Sequence, residues 1–332
     1  MKLRVALIGT TFATLALPAS SFAAAPQSID LSVMHAQVIL DRLGFSPGVI
    51  DGKQGQSLSL ALKGFQTANG LKPTGELDPS TLKALSAWRA IRPTRSLQLT
   101  DAIVAGPYYG RLPRDMAKQS DYPALGYANL LERLAEKFHT TPDTIAALNP
   151  PGTRLKAGQT IRLPGALPSS RAYPADLPAA WRKTLSDLNV DARQPDVARI
   201  VVDRSDAALR AYDARNRLVA QFPATMGSEH DPLPLGSWKI QGAAYNPPFH
   251  YNPDLFWDAS SKEEKAKLPP GPNGPVGVVW LDINKPHYGI HGTPNPEQIG
   301  RTESHGCIRL TNWDAARLAL MVKPGTPARF QE

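Results

Sequence analysis

One cysteine, Cys307, stands in a chain of 332 residues, so whatever this sequence folds into is held together without an internal disulfide. The N-terminus sharpens the point, because it reads as a removable export signal. Lys2 and Arg4 give a positive start, Val5 to Leu17 is an apolar run, and Ser21 to Ala25 are mostly small; these are the three regions of a leader in order. The apolar run is too short to cross a bilayer, which takes about 20 residues, and no other stretch is long enough. The expected mature protein is exported and free of any integral membrane segment. No cysteine lies near the cleavage region, which excludes lipid attachment there. A lone thiol in such a chain is inert and buried, paired with another molecule, or chemical.

The length suggests two or three domains. The formal charge of +8 falls by two when Lys2 and Arg4 leave with the leader. A basic protein suits an anionic polymer, nucleic acid or cell wall. No dense Lys/Arg run with interleaved aromatics is present, so no nucleic-acid partner is expected. Thirty-two prolines, roughly twice average usage, point to long loops and linkers.

Residues 29–90 read as a small all-α module of three helices. The first covers Val33 to Leu43 and stops at Gly44; the second covers Leu58 to Ala68; the third opens on Asp78 as N-cap with Pro79 behind it and Leu77 placed to staple onto Leu82. Phe45, Leu62 and Phe65 are expected in its core. Leu40–Phe45, Val49–Gly52, Leu62–Leu71 and Thr74–Asp78 resemble the peptidoglycan-binding type 1 family, which implies that this module binds cell wall.

Residues 91–124 and 166–196 read as exposed linkers, the second with a short helix over Trp181 to Leu188. Between them, residues 125–165 form a small α/β segment. Asn129 to Glu132 make a capping box for a helix to Phe138, Thr141-Pro142 start a second helix ending near Leu148, and Leu155 to Pro164 read as a closing strand. The order resembles the later part of a LysM domain without its opening strand, which leaves a spacer and a glycan binder as equal readings.

From Val197 the texture becomes short β segments: Ile200–Asp203, Leu209–Asp213 and Leu218–Phe222 around a turn at Ala214–Arg217, Trp238–Ile240, Val276–Asp282 and Tyr288–His291. Asn312 is placed to cap a final helix from Trp313 to Val322. The expectation for residues 197–331 is a mainly β domain with one or two helices. The proline- and aromatic-rich segment Tyr245 to Gly274 reads either as a lid over a cleft or as a passive surface loop.

Two stretches of this domain carry chemistry. Thiolate is the reactive form of cysteine, and a thiol with pKa about 8.5 is mostly protonated at neutral pH, so a nearby imidazole is needed to ionise it. His291 lies upstream of Cys307, and Gly306 leaves the backbone accessible beside the sulfur for N–H donors aimed at an oxyanion. A zinc site from His287, His291, His305 and Cys307 has no standard ligand spacing, and no metal or other cofactor is expected.

Ile290–Thr293 and Ser304–Asn312 resemble the signature of the YkuD-type L,D-transpeptidases, with Leu233-Pro234-Leu235-Gly236 matching a further family motif except that Leu233 replaces a preferred threonine. The resemblance implies a β-sandwich fold. It makes Cys307 the nucleophile and His291 its base, with the Gly292 backbone orienting the imidazole. The backbone of His305, Gly306 and Cys307 would hold the oxyanion, and Arg309 would hold the loop or a substrate carboxylate. Ser304 and Tyr288 are taken as substrate-binding. The implied reaction cross-links peptidoglycan: Cys307 attacks a tetrapeptide stem, D-alanine leaves, and the acyl group passes to an acceptor amine in the periplasm. Water or a lipoprotein lysine as acceptor, and a non-catalytic wall-binding protein, are the alternatives. Acylation of Cys307 by carbapenems is a further implication.

Overall fold

The computed structural model describes residues 29–260 and 262–332; the export signal falls outside them. Among the described residues no helix is long and apolar enough to cross a membrane.

The N-terminal module is helical as expected: α1 (Leu31–Arg42), α2 (Gln56–Ala68) and α3 (Pro79–Leu85). The Asp78 carboxylate accepts from the Thr81 N–H at 2.8 Å, capping α3. Phe45, Leu62 and Phe65 are buried in its core. Leu77 packs on that core, while Leu82, its expected staple partner, is 51% exposed.

The stretch read as the first linker contains β1 (Thr94–Gln98), α4 (Asp101–Val104) and α5 (Met116–Gln119). After α6 (Leu130–Lys137) and α7 (Pro142–Leu148), β2 (Thr160–Pro164) pairs antiparallel with β1, Thr94 opposite Pro164. The opening strand missing from residues 125–165 is therefore supplied from within 91–124. Leu99, Leu134, Phe138, Ile145, Ile161 and Leu163 close a separate small core over this pair. The second linker is corrected too. Its helix α8 (Ala179–Asp187) sinks Trp181 and Leu185 completely into the main core, so the segment is packed rather than exposed.

The C-terminal domain follows: β3 (Arg199–Asp203), β4 (Ala208–Tyr212), β5 (Leu218–Pro223), β6 (Thr225–Met226), β7 (Gly236–Tyr245), β8 (Phe249–Tyr251), β9 (Ala266–Leu268), β10 (Val279–Ile283), β11 (Gly289–His291), β12 (Ile308–Arg309), α9 (Asn312–Met321) and β13 (Pro327–Gln331). Nine of these strands form one sheet in the order β5-β4-β3-β13-β7-β10-β11-β12-β6. Its two edge strands, β5 and β6, are separated in sequence only by Ala224, so the sheet must wrap back on itself, as a sandwich or barrel does. Alternation puts Val279, Leu281, Ile283, Ile290 and Ile308 inside, against Trp313, Leu318 and α8. The outer edge of β5 is covered by the N-terminal module, where Ser46 N–H donates to Gln221 O and Gln221 N–H to Gly44 O, both at 2.9 Å. That contact satisfies backbone groups an open edge would leave unpaired. The segment 245–274 is built around the β8–β9 hairpin.

Beneath these contacts lies a buried ion network joining the modules. Arg317 of α9 reaches Asp41 of α1 at 3.4 Å and Asp314 at 3.6 Å, and His139, beyond α6, meets Asp41 at 3.1 Å. The His139 ring stacks on Trp313 with centroids 5.0 Å apart. Burial works against the charge on Asp41, but Arg317 and His139 together hold its carboxyl well below the usual carboxylate range.

Candidate active site

Strand pairing decides which side chains share a face. β10 and β11 run antiparallel with Trp280 opposite His291, and β11 and β12 run parallel with Ile290 opposite Ile308 and His291 opposite Arg309. Side chains on a strand alternate, so while Ile290 and Ile308 face the core, Trp280, His291, Arg309 and Cys307 take the other face. Cys307 immediately precedes β12 beside Gly289, two residues from the register position of His291. The Cys307 thiol approaches the His287 carbonyl at 3.7 Å, and the Gly289 N–H donates to the sulfur.

His291 is only 4% exposed. Its Nδ1 lies 2.7 Å from the Gly292 carbonyl oxygen. A carbonyl can only accept, so Nδ1 carries the proton and the lone pair sits on Nε2. The ring is backed by Trp280, stacked at 5.4 Å and 17°. Gly289 makes that stack fit, since a Cβ there would stand 2.4 Å from the Trp280 ring. Burial, with Arg309 second, drives the imidazole down to about 4, while the Gly292 hydrogen bond pulls weakly the other way. Burial pushes the Cys307 thiol up, against the Gly289 N–H and Arg309. Both shifts favour the uncharged forms, a thiol at Cys307 and a neutral imidazole at His291.

The motif loop is held at several points. Ser304 is buried; its hydroxyl donates to Cys307 O at 2.6 Å and accepts from Gly227 N–H at 2.7 Å, and its own N–H reaches Gly227 O at 3.0 Å. Ser304 thus ties the loop to the end of β6 rather than facing the cleft. Gly306 has φ of +89°, and a Cβ there would stand 2.5 Å from Tyr288, whose ring lies over it. The backbone N–H groups of His305, Gly306 and Cys307 make no hydrogen bond among the described residues. Arg309 Nη1 reaches Glu303 O at 3.4 Å. Leu233, in the place of a preferred threonine, is 3% exposed and packs in the core.

The segment 245–274 reaches this loop. His305 Nε2 and Asp258 Oδ1 are 2.8 Å apart, Phe256 meets the His305 ring edge-on at 5.0 Å, and Trp257 stacks on His230 at 4.1 Å.

Sequence reasoning misses two things at the site, the inward role of Asn312 and the presence of Glu136. Thr311, not Asn312, caps α9, accepting from Asp314 N–H at 3.1 Å. Asn312 is fully buried and turned inward: its Oδ1 accepts from Val278 N–H at 3.1 Å and its Nδ2 donates to Glu136 at 2.5 Å and to Pro272 O at 3.0 Å. Glu136 is a helix residue 155 positions before His291, and nothing in the sequence connects the two.

Residues 197–329 match the family described as "L,D-transpeptidase catalytic domain" (YkuD), and residues 30–85 match "Putative peptidoglycan binding domain". The chain is 32% identical over 200 residues to "Putative L,D-transpeptidase YkuD" of Bacillus licheniformis, and 54% identical over 198 residues to the protein of the same name in Bacillus subtilis. Each alignment covers 59% of this chain and 90% of the relative. A solved L,D-transpeptidase from Mycobacterium smegmatis aligns at 20% identity with a TM-score of 0.33, over 40% of this chain and 58% of that one.

Proposed function

This chain belongs to the YkuD family of L,D-transpeptidases, and from that premise we propose that Cys307 is its nucleophile and His291 the general base. The observation that carries the reading is the hydrogen bond from His291 Nδ1 to Gly292 O, 2.7 Å long. It leaves Nε2 as the basic atom, on the sheet face shared with Cys307.

As the thiol attacks the carbonyl of the third stem residue, its proton passes to Nε2, so the thiolate is generated in the transition state rather than stored. The tetrahedral oxyanion is met by the unused N–H groups of the His305–Cys307 segment; one such donor is worth about 3 kcal/mol in known acyl-transfer sites. The imidazolium then returns the proton to the departing amine of D-alanine, leaving a thioester on Cys307. An acceptor amine attacks the thioester, gives a proton to Nε2, and the sulfur leaves as thiol. Arg309 steadies negative charge at the sulfur and also holds the motif loop through Glu303. Tyr288, over Gly306, forms one wall for the stem peptide. The N-terminal module brings wall polymer to the site, which assigns the protein to the periplasm or cell wall.

Incubation with a disaccharide-tetrapeptide donor followed by muropeptide analysis tests the reading. New cross-linked dimers are expected. Tripeptides alone would make water the acceptor, and unchanged substrate would make the protein a binder.

A further inference from the structure

Glu136 lies at 8% exposure on α6, in the middle module, yet its carboxylate faces the catalytic domain. Its Oε1 accepts from Asn312 Nδ2 at 2.5 Å, and the Tyr127 hydroxyl is a second partner. Burial holds Glu136 up to about 7, opposed by those two hydrogen bonds. A carboxyl kept in such a place must be doing structural or functional duty, because burying it costs free energy unless its partners repay it.

The other side of Asn312 meets the backbone that supports His291. Built onto Gly292, a Cβ would stand 2.0 Å from Asn312 Oδ1, and built onto Gly277 it would stand 1.9 Å from the same atom. Asn312 therefore lies flush against the peptide whose carbonyl takes the Nδ1 proton of His291. Both of its amide ends are occupied, by Val278 N–H on one side and by Glu136 and Pro272 O on the other. The middle module also grips the root of the 245–274 segment. Leu125 N–H donates to Pro270 O at 3.0 Å, Asn273 N–H to Leu125 O at 2.9 Å, and Asn273 Nδ2 to Glu132 at 2.8 Å.

We propose that Glu136 is a positioning residue for His291: by anchoring Asn312 it fixes the Gly292 carbonyl, so the middle module is a working part of the acyl-transfer site. The proposal rests on His291 acting as the base. A buried side-chain amide held at both ends cannot rotate, and Gly292, whose Cβ position it occupies, has no room to shift toward it. Without that carboxyl group, Asn312 Nδ2 loses its Glu136 acceptor, the amide is free to shift, and the imidazole loses its orientation.

The test is the acylation of Cys307 in the full chain by a carbapenem, followed by intact mass at several concentrations to separate initial binding from the covalent step. Glu136→Ala is expected to slow the covalent step about tenfold or more, with initial binding within about twofold. Glu136→Gln keeps a carbonyl acceptor and is expected to recover most of the rate. A general loss of packing would instead lower the melting temperature alike in both, with no split between the two steps. Should Glu136→Ala fail to fold, Glu136→Asp, whose acceptor is withdrawn by one methylene, is expected to show the same selective slowing. Wild-type rates in a folded Glu136→Ala or Glu136→Asp protein overturn the proposal while leaving Cys307 and His291 untouched; no adduct on the wild type would overturn the catalytic reading itself.

Discussion

His291 donates its Nδ1 proton to the carbonyl of Gly292, its own neighbour in the chain, at 2.7 Å. A side-chain carboxylate in that position would stabilise an imidazolium; a neutral carbonyl does so far less. With burial acting in the same direction on both groups, this arrangement favours a neutral imidazole and a neutral thiol.

Thiol reactivity should show this directly. Burial raises Cys307 and lowers His291, while Arg309 favours the thiolate and Asp231 opposes it. The rate of Cys307 alkylation by iodoacetamide should climb steadily from pH 6 to beyond pH 9. A plateau reached below pH 7 would mean a standing ion pair and would contradict the neutral resting state.

The same shift makes a stability prediction. His291 titrates near 6.5 when unfolded and about 4 when folded. Between those values the unfolded chain binds the proton and the folded chain does not. The stabilisation is complete above pH 6.5 and is lost as pH falls toward 4, on the order of 3 kcal/mol for this one group. Denaturant midpoints of the wild type and His291→Gln measured at pH 7 and pH 4.5 should converge at the lower pH.

Gly292→Ala should damage both fold and chemistry, because the added methyl would sit 2.0 Å from Asn312 Oδ1. Overpacking of this kind costs roughly 1–3 kcal/mol. Thermal melting and carbapenem acylation are expected to fall together; an unaltered acylation rate would detach the Gly292 carbonyl from catalysis.

Asp258 links the 245–274 segment to the motif loop through His305 at 2.8 Å. Asp258→Ala should free the segment and speed labelling of Cys307 by a bulky maleimide, with melting temperature little changed. Equal labelling rates would reduce the segment to a passive surface loop.

Arg317 sits between Asp41 and Asp314 with all three side chains at 5% exposure or less. Arg317→Met would leave Asp41 buried without its main counter-charge, and such losses cost about 3–5 kcal/mol. Because the network joins the first module to the catalytic domain, the variant should also split a single unfolding transition into two, which calorimetry would reveal.

Local chemistry made much of this protein legible in its sequence. Asp78-Pro79, Asn129 and Thr141-Pro142 start helices where they stand because a short side chain reaches an N–H only two or three residues on. A β-branched run marked β3, and alternating apolar residues marked β4 and β5, because a strand's faces repeat every two residues. The likeness of Ile290–Thr293 and Ser304–Asn312 to a family signature, rather than any spacing rule, is what linked His291 to Cys307 in the sequence. Tertiary structure alone decided what depends on partners far along the chain. β1 exists as a strand because β2, more than sixty residues later, completes its ladder. Thr311 and Asn312 are both plausible caps by local rules, and it is partners distant in the chain, Val278 N–H, Pro272 O and the buried Glu136 of another module, that turn Asn312 inward. Neighbour-to-neighbour hydrogen bonds are written in residue order; a contact across a packed interface is selected only when the surrounding surfaces exclude water and leave a polar group one partner to choose.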